Sequence, residues 1–164
     1  MSKQMTIKFW GVRGSHPTPF MQNMGYGGNT SCVEVRAGGQ TIILDEGSSI
    51  IQLGQELAQK RASPITLLLS HLHHDHTQGF PFFAAARLPS TKLHIFGPDI
   101  YHRGPEEILT DTMLPPTFPL EFRQLNASKF IYSVRETNIV GLAPDGSPPT
   151  LHHLNDKQIA NGNV

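Results

Sequence analysis

A group of potential metal ligands lies near the middle of the chain and consists of His71, His73, Asp75 and His76. His71 and His73 are two positions apart where the chain leaves a predicted strand, so both imidazoles can point the same way and hold one ion. Asp75 and His76 follow the turn and can face a second ion, whereas His74 is expected to point away. Imidazole and carboxylate ligands suit zinc, manganese or iron(II), and no cysteine lies nearby to close a structural zinc site. The spacing predicts an open catalytic site for two divalent metal ions, with zinc preferred over manganese or iron.

The elements before this cluster form a framework that can position it. Residues 65–69 are a short apolar run that predicts a buried strand, and ligand sites in open α/β sheets gather at the carboxyl ends of strands. An opening strand is predicted over residues 6–10, and a hairpin over 31–44 with its turn at Gly38 and Gly39. A helix should follow, with Ser49 and Gln52 forming a capping box. Strand, helix and strand then make a right-handed crossover unit.

The second half of the chain predicts further α/β elements. Residues 78–88 are interpreted as a short apolar helix interrupted near Pro81, and residues 92–96 as a strand in which His94 is a core or face residue. A helix is expected to begin near Pro105 and to end before Pro115. Strands are predicted over 130–134 and 139–142, and no element is predicted beyond them.

The motif resembles that of a known family. Residues 70–79, with the pattern His-x-His-x-Asp-His after a hydrophobic strand, resemble the signature of the metallo-β-lactamase superfamily of metal-dependent hydrolases. Residues 11–18 and 27–32 are similar to the opening of the branch that contains RNase Z and cyclic phosphodiesterases. The resemblance implies an α/β fold, a metallo-β-lactamase-like αβ/βα sandwich, incomplete because residues 1–164 correspond to its first half. The chain is then expected to be the N-terminal part of one domain, truncated at its C-terminus.

The resemblance also implies roles for individual residues. Asp75 would orient the attacking hydroxide and take its proton, and Ser15 and Asn29 would hold the phosphate. Asp45 resembles a position that shapes the site in this superfamily, although a plain turn aspartate is an equal alternative. The remaining ligands of the family, a third histidine and a bridging aspartate among them, have no convincing match. His152 and His153 are interpreted as part of a solvated loop.

Three functional hypotheses follow. The first is a metal-dependent phosphodiesterase, an enzyme whose substrate is a small phosphodiester, either a cyclic nucleotide or a cyclic sugar phosphate, or an RNA end. The second is a non-catalytic fragment of such an enzyme, lacking the third histidine and the bridging aspartate. The third is a thioester or lactone hydrolase. A half sandwich would leave one face of its sheet uncovered, so self-association or a complementing C-terminal half is expected.

Composition restricts the partners and the compartment. The 164 residues contain 13 Lys plus Arg and 13 Asp plus Glu, and this balance argues against a broad nucleic-acid surface. The single cysteine, Cys32, cannot form an internal disulfide and is interpreted as a small buried residue rather than a nucleophile. No apolar run approaches membrane-spanning length, and no signal peptide is evident at the N-terminus. We therefore expect a cytoplasmic protein with no membrane partner.

Overall fold

A computed structural model describes residues 4–23 and 25–156 of the chain. Within them, six strands form one sheet in chain order: β1 Thr6–Gly11, β2 Cys32–Ala37, β3 Gln40–Leu44, β4 Ile65–Leu68, β5 Lys92–Pro98 and β6 Ser128–Val134. The first three strands are antiparallel neighbours, and β3 to β6 run parallel. The carboxyl ends of β3 to β6 therefore meet at one edge of the sheet.

Helices cover one face of this sheet. They are α1 Ile50–Gln59 and α3 Pro105–Asp111, whose residues Leu53 and Leu109 belong to the core. A single-turn helix, α2 His74–Thr77, lies in the segment after β4. Alternate strand residues such as Ile43, Leu67 and Ile95 pack with Leu53 and Leu57 of α1 in a single core, and all five are fully buried. Because α1 connects the parallel strands β3 and β4, the predicted crossover unit is confirmed.

The opposite face of the sheet is apolar and only partly covered. One row of directly paired residues crosses all six strands and consists of Phe9, Val33, Leu44, Leu68, Phe96 and Tyr132. A hairpin of β7 Asn138–Gly141 and β8 Thr150–His153 approaches this face, since Val140 lines a cavity with Leu68 and Phe96. On β1, by contrast, Phe9 remains 67% exposed.

Several predicted elements differ from the structure. Residues 78–88 form two short 3₁₀ turns, Phe80–Phe82 and Ala84–Arg87, because Phe83 between them is extended. The predicted capping box of α1 is wrong, since the Ser49 hydroxyl donates to the Thr30 carbonyl at 2.7 Å instead. The interpretation of His152 and His153 as a solvated loop is also wrong, because both residues belong to β8 and pair with β7. The sequence of β8, Thr-Leu-His-His, has a single apolar residue and therefore lacks the apolar pattern of a predicted strand.

Candidate metal centre

The histidine-rich segment begins directly after β4, at the carboxyl edge of the parallel strands. Its backbone is fixed to the end of β3, because the Glu46 N–H donates to the His76 carbonyl at 2.8 Å and the Gly79 N–H donates to the Glu46 carbonyl at 2.9 Å. Glycine is required at position 79, since a Cβ atom there would lie 2.1 Å from the Gly47 carbonyl oxygen. The loop and α2 are therefore held in one position by the sheet.

Three of the predicted ligands converge. One ligand atom each from His71, Asp75 and His76 lies within 4.8 Å of the others. The His71 ring lies 4.0 Å from the His76 ring and 4.5 Å from the His73 ring, measured between centroids. The sequence pairs His71 with His73 and Asp75 with His76, whereas the structure groups His71 with Asp75 and His76 and places His73 beside them. Two imidazoles and a carboxylate are a donor set that suits a divalent metal ion.

Asp45 fixes the orientation of the histidines. Its Oδ2 atom lies 2.8 Å from His76 Nδ1, and its Oδ1 atom accepts hydrogen bonds from the Ser70 N–H at 2.8 Å and the Ser70 hydroxyl at 2.9 Å. With its proton directed to Asp45, the Ser70 oxygen can accept from His71 Nδ1, which lies 3.0 Å away. Both Nδ1 atoms are thus engaged, and the Nε2 atoms can face an ion, with His76 Nε2 3.5 Å from Asp75 Oδ2. These contacts favour the site-shaping interpretation of Asp45 over that of a plain turn residue.

The N-terminal loop contacts the cluster through Ser15. The Ser15 N–H donates to Asp75 Oδ2 at 2.7 Å. Burial alone would raise the pKa of Asp75, but this hydrogen bond and the nearby His76 outweigh burial, and the pKa lies below its ordinary value. Burial, followed by the neighbouring His76 and His73, lowers the pKa of His71. At neutral pH Asp75 is therefore ionised and His71 is neutral, and these are the forms that bind metals.

The second predicted phosphate contact lies further from the ligands. The Asn29 carbonyl accepts a hydrogen bond from the Arg13 N–H at 3.0 Å, and this bond ties the loop that contains Ser15 to the segment before β2. The Asn29 side chain accepts from the Ser48 hydroxyl at 3.1 Å. Within residues 4–23 and 25–156 no hydrogen bond joins Asn29 to His71, Asp75 or His76. Ser15 is thus next to the cluster, and Asn29 supports the loop that carries Ser15.

Two residues near the site were not predicted. Ser70 connects Asp45 to His71, and its only sequence signal is a small polar residue at the end of an apolar strand. Glu46 follows Asp45 in the chain and is fully buried, and neither carboxyl oxygen has a hydrogen-bond partner in the described part of the chain. Burial, together with the nearby Asp45, raises the pKa of Glu46 well above its ordinary value.

Cys32 is fully buried as predicted, and burial raises the pKa of its thiol far above the usual range.

The sheet and the cluster together define an α/β protein with a candidate metal centre at the carboxyl edge of parallel strands. Residues 25–132 match the family model of the metallo-beta-lactamase superfamily, and the chain belongs to this superfamily. The resemblance drawn from the histidine motif is thereby confirmed.

Among the helices that the structure describes, none combines the length and the apolar character needed to cross a membrane.

Two solved structures share the fold. A diphosphatase from the PhnP family superposes with a TM-score of 0.57 at 14% identity, covering 83% of this chain and 53% of the diphosphatase chain. The metallo-beta-lactamase fold protein YhfI from Bacillus subtilis superposes with a TM-score of 0.51 at 16% identity, covering 92% of this chain and 61% of YhfI. The α/β class and the metallo-β-lactamase-like fold predicted from the sequence are confirmed.

A relative is also found by sequence. The beta-lactamase-like protein 2 homolog of Drosophila melanogaster is 33% identical over 91 residues, which cover 49% of this chain and 30% of the relative. The chain therefore spans about a third of this curated relative and little more than half of the two structural neighbours.

Proposed function

We propose that this chain is part of a metal-dependent phosphodiesterase. Its substrate is a cyclic nucleotide, a cyclic sugar phosphate or an RNA end. The observation that carries the proposal is the hydrogen bond from the Ser15 N–H to Asp75 Oδ2. It joins the glycine-containing loop, which resembles the opening of the phosphodiesterase branch, to the ligand cluster. The Ser15 side chain is exposed and its backbone contacts Asp75, which supports a role for Ser15 in substrate binding.

The proposed metal ligands are His71, His73, Asp75 and His76. Together they would hold two divalent metal ions, and zinc is the preferred metal. When bound, such ions lower the pKa of water from about 16 towards 7 and so provide hydroxide at neutral pH. Asp75 holds the attacking water in place and accepts its proton at a carboxylate oxygen. Asp45 and Ser70 keep the His76 and His71 rings in the orientation that leaves Nε2 free.

A phosphodiester suits the N-terminal loop better than a thioester or a lactone. Backbone amides and hydroxyl groups in a loop of residues 11–18 can contact the anionic oxygens of a phosphate, which the two rival substrates lack. Ser15 is the contact proposed for the phosphate. Asn29 stabilises the loop because its carbonyl accepts the hydrogen bond from the Arg13 N–H. One structural neighbour is a diphosphatase from the PhnP family, and this supports chemistry on phosphate groups rather than on thioesters or lactones.

The proposal is tested with bis(p-nitrophenyl) phosphate in the presence of zinc or manganese. We expect Asp75→Asn to reduce hydrolysis by at least about a hundredfold, because it removes the proton acceptor. His74→Ala should leave hydrolysis almost unchanged, since His74 is exposed and lies outside the ligand group. Equal losses in the two variants would refute the assigned roles. Faster hydrolysis of a thioester or lactone than of the phosphodiester would favour the rival substrate.

A second candidate is a non-catalytic module that binds metal weakly. It is favoured by the number of ligands, because two hydrolytic metal ions usually take about three protein ligands each. The described residues bring together His71, Asp75 and His76, with His73 beside them. Under this alternative the 164-residue chain turns over substrate at close to the background rate. Tight binding of two metal ions per chain together with rapid hydrolysis would exclude it.

A further inference from the structure

The turn that follows β5 has an unusual composition. Residues 100–103 are closed by two reciprocal backbone hydrogen bonds of 3.0 Å between Ile100 and Arg103. The central residues Tyr101 and His102 have φ angles of 54° and 60°, in the left-handed region that such turns usually fill with glycine or asparagine. The Tyr101 side chain is 93% exposed, so packing does not explain its presence. Strained positions that carry large exposed side chains are typical of functional sites.

This turn forms one wall of a groove along the carboxyl edge of the sheet. A cavity of about 630 Å³ is lined by Asp99, Tyr101, His102, Val134, Arg135 and Glu136, among others. A neighbouring cavity of about 340 Å³ shares Val134, Arg135 and Glu136 with it and extends to Ser70. The Ser70 hydroxyl lies 3.0 Å from His71 Nδ1. The two cavities therefore form one groove that leads from Ser70, next to the ligand cluster, to Tyr101. The Ser70 end is lined mainly by apolar residues, among them Leu68, Phe96 and Val140.

The charges in the groove indicate which part of a substrate it suits. Asp99 and Glu136 contribute two carboxylates, and Arg135 contributes one cation. Among the ion pairs of the described residues, none includes Asp99, Arg135 or Glu136, so all three charges can bind a ligand. A groove with excess negative charge does not favour a phosphate, which belongs at the histidine cluster. Carboxylates do bind sugar hydroxyls, and an exposed tyrosine ring can stack on a base.

We propose that this groove binds the nucleoside part of the substrate. The Tyr101 ring stacks on the base, while the Asp99 or Glu136 carboxylate accepts hydrogen bonds from the sugar hydroxyls. The phosphate then lies at the end of the groove that contains Ser70, whose hydroxyl is 3.0 Å from His71 Nδ1. The assignment rests on the proposed phosphodiesterase function and selects nucleotides from the substrates considered there.

The experiment compares the binding of adenosine 5′-monophosphate and ribose 5-phosphate by calorimetry, with manganese present. Base stacking on one aromatic ring should make the nucleotide bind about tenfold more tightly than the sugar phosphate. Tyr101→Ala should remove this difference, and Tyr101→Phe should retain it. Tyr26→Ala is a matched control, because Tyr26 is 91% exposed in another loop and should not affect the difference.

Three outcomes would overturn the proposal: no binding of the nucleotide, equal affinities for the two ligands, or a difference that survives Tyr101→Ala. Hydrolysis of bis(p-nitrophenyl) phosphate is measured separately on the same samples. A preference for the nucleotide without hydrolysis supports the groove and refutes the phosphodiesterase. Hydrolysis without a preference for the nucleotide supports the phosphodiesterase and refutes nucleoside binding in the groove.

Discussion

Asp45 Oδ2 lies 2.8 Å from His76 Nδ1, and this contact connects the end of β3 to the ligand cluster. The backbone of Asp45 has a φ angle of 65°, and its side chain is 9% exposed. Asparagine and aspartate tolerate this left-handed conformation better than other residues with a side chain. A strand-end aspartate thus holds a candidate metal ligand, His76, in one orientation.

Asp45→Asn should weaken metal binding while preserving the fold. Asparagine tolerates the same backbone conformation, but its amide replaces one of the oxygens that accept from Ser70 and His76. Loss of such a supporting contact typically costs 10–100-fold in metal affinity. The dissociation constant for zinc, measured by competition with a chromophoric chelator, should rise by this factor.

Ser31→Ala is the matched control for this measurement. Its hydroxyl contacts Asp45 Oδ2 at the longer distance of 3.3 Å and does not touch the histidines. We expect a much smaller change in zinc affinity for this variant. An unchanged affinity in Asp45→Asn would mean that the His76 ring is held by other contacts.

Substitutions of Ser15 separate the role of its backbone from that of its hydroxyl. Ser15 has a φ angle of 69°, which glycine adopts without strain and proline cannot adopt. Ser15→Gly keeps the N–H that donates to Asp75, so metal affinity should be retained. Ser15→Pro removes this N–H and should weaken zinc binding by about tenfold or more.

The same pair of variants tests the proposed phosphate contact. If the Ser15 hydroxyl binds the phosphate, Ser15→Gly should raise the KM for a phosphodiester while leaving zinc affinity unchanged. A KM equal to that of the parent protein would limit Ser15 to positioning Asp75. Equal zinc affinities in the glycine and proline variants would contradict the role of the N–H.

His94 should make the protein less stable in acid. It is 3% exposed and stacks on Phe130 at 4.8 Å, and neither ring nitrogen has a hydrogen-bond partner in the described part of the chain. Burial, with a contribution from the positive charge of Lys92, lowers its pKa. The unfolded chain binds a proton below a pKa of about 6.5, whereas folded His94 resists protonation, so stability is lost as the pH falls below that value.

His94→Phe should therefore stabilise the protein. The substitution removes two unsatisfied nitrogens and keeps an aromatic ring against Phe130, and we expect a gain of about 1–3 kcal/mol in the free energy of unfolding at pH 7. The gain should be larger at pH 5.5, as measured by urea denaturation. His74→Phe, at an exposed histidine, should change stability little at either pH. A loss of stability in His94→Phe would show that the ring nitrogens have partners in solution.

We propose that the uncovered part of the sheet causes self-association. Phe9 and Ile7 lie on the same face of β1 and are 67% and 50% exposed. Apolar residues exposed together on an edge strand favour pairing with another chain, and a charge there opposes it. Phe9→Lys should therefore reduce the average mass measured by light scattering at high protein concentration.

Thr6→Lys is the control for the charge itself. Thr6 lies on the other face of β1, because side chains alternate along a strand and Thr6 and Phe9 are an odd number of positions apart. The control variant should associate as the parent protein does. A parent protein that remains monomeric over the whole concentration range would contradict the proposal.

The sequence by itself determined the histidine motif, the α/β class and the framework that carries the motif. His71, Asp75 and His76 are close in the chain, so one strand, one loop and one turn of helix are enough to bring them together. The apolar runs of β3, α1 and β4 have the periods and lengths of buried elements, and these patterns are local. Local patterns can be interpreted without knowledge of the rest of the fold.

The tertiary structure alone decided which residues contact the candidate ligands and where a groove lies near them. The contact of Ser15 with Asp75 joins residues 60 positions apart, and that of Ser70 with Asp45 joins residues 25 positions apart. The groove beside Tyr101 likewise depends on residues 98–102 and 134–136, which meet only in the folded chain. Hydrogen bonds and cavities of this kind arise from packing between distant segments, and no local residue pattern encodes such packing.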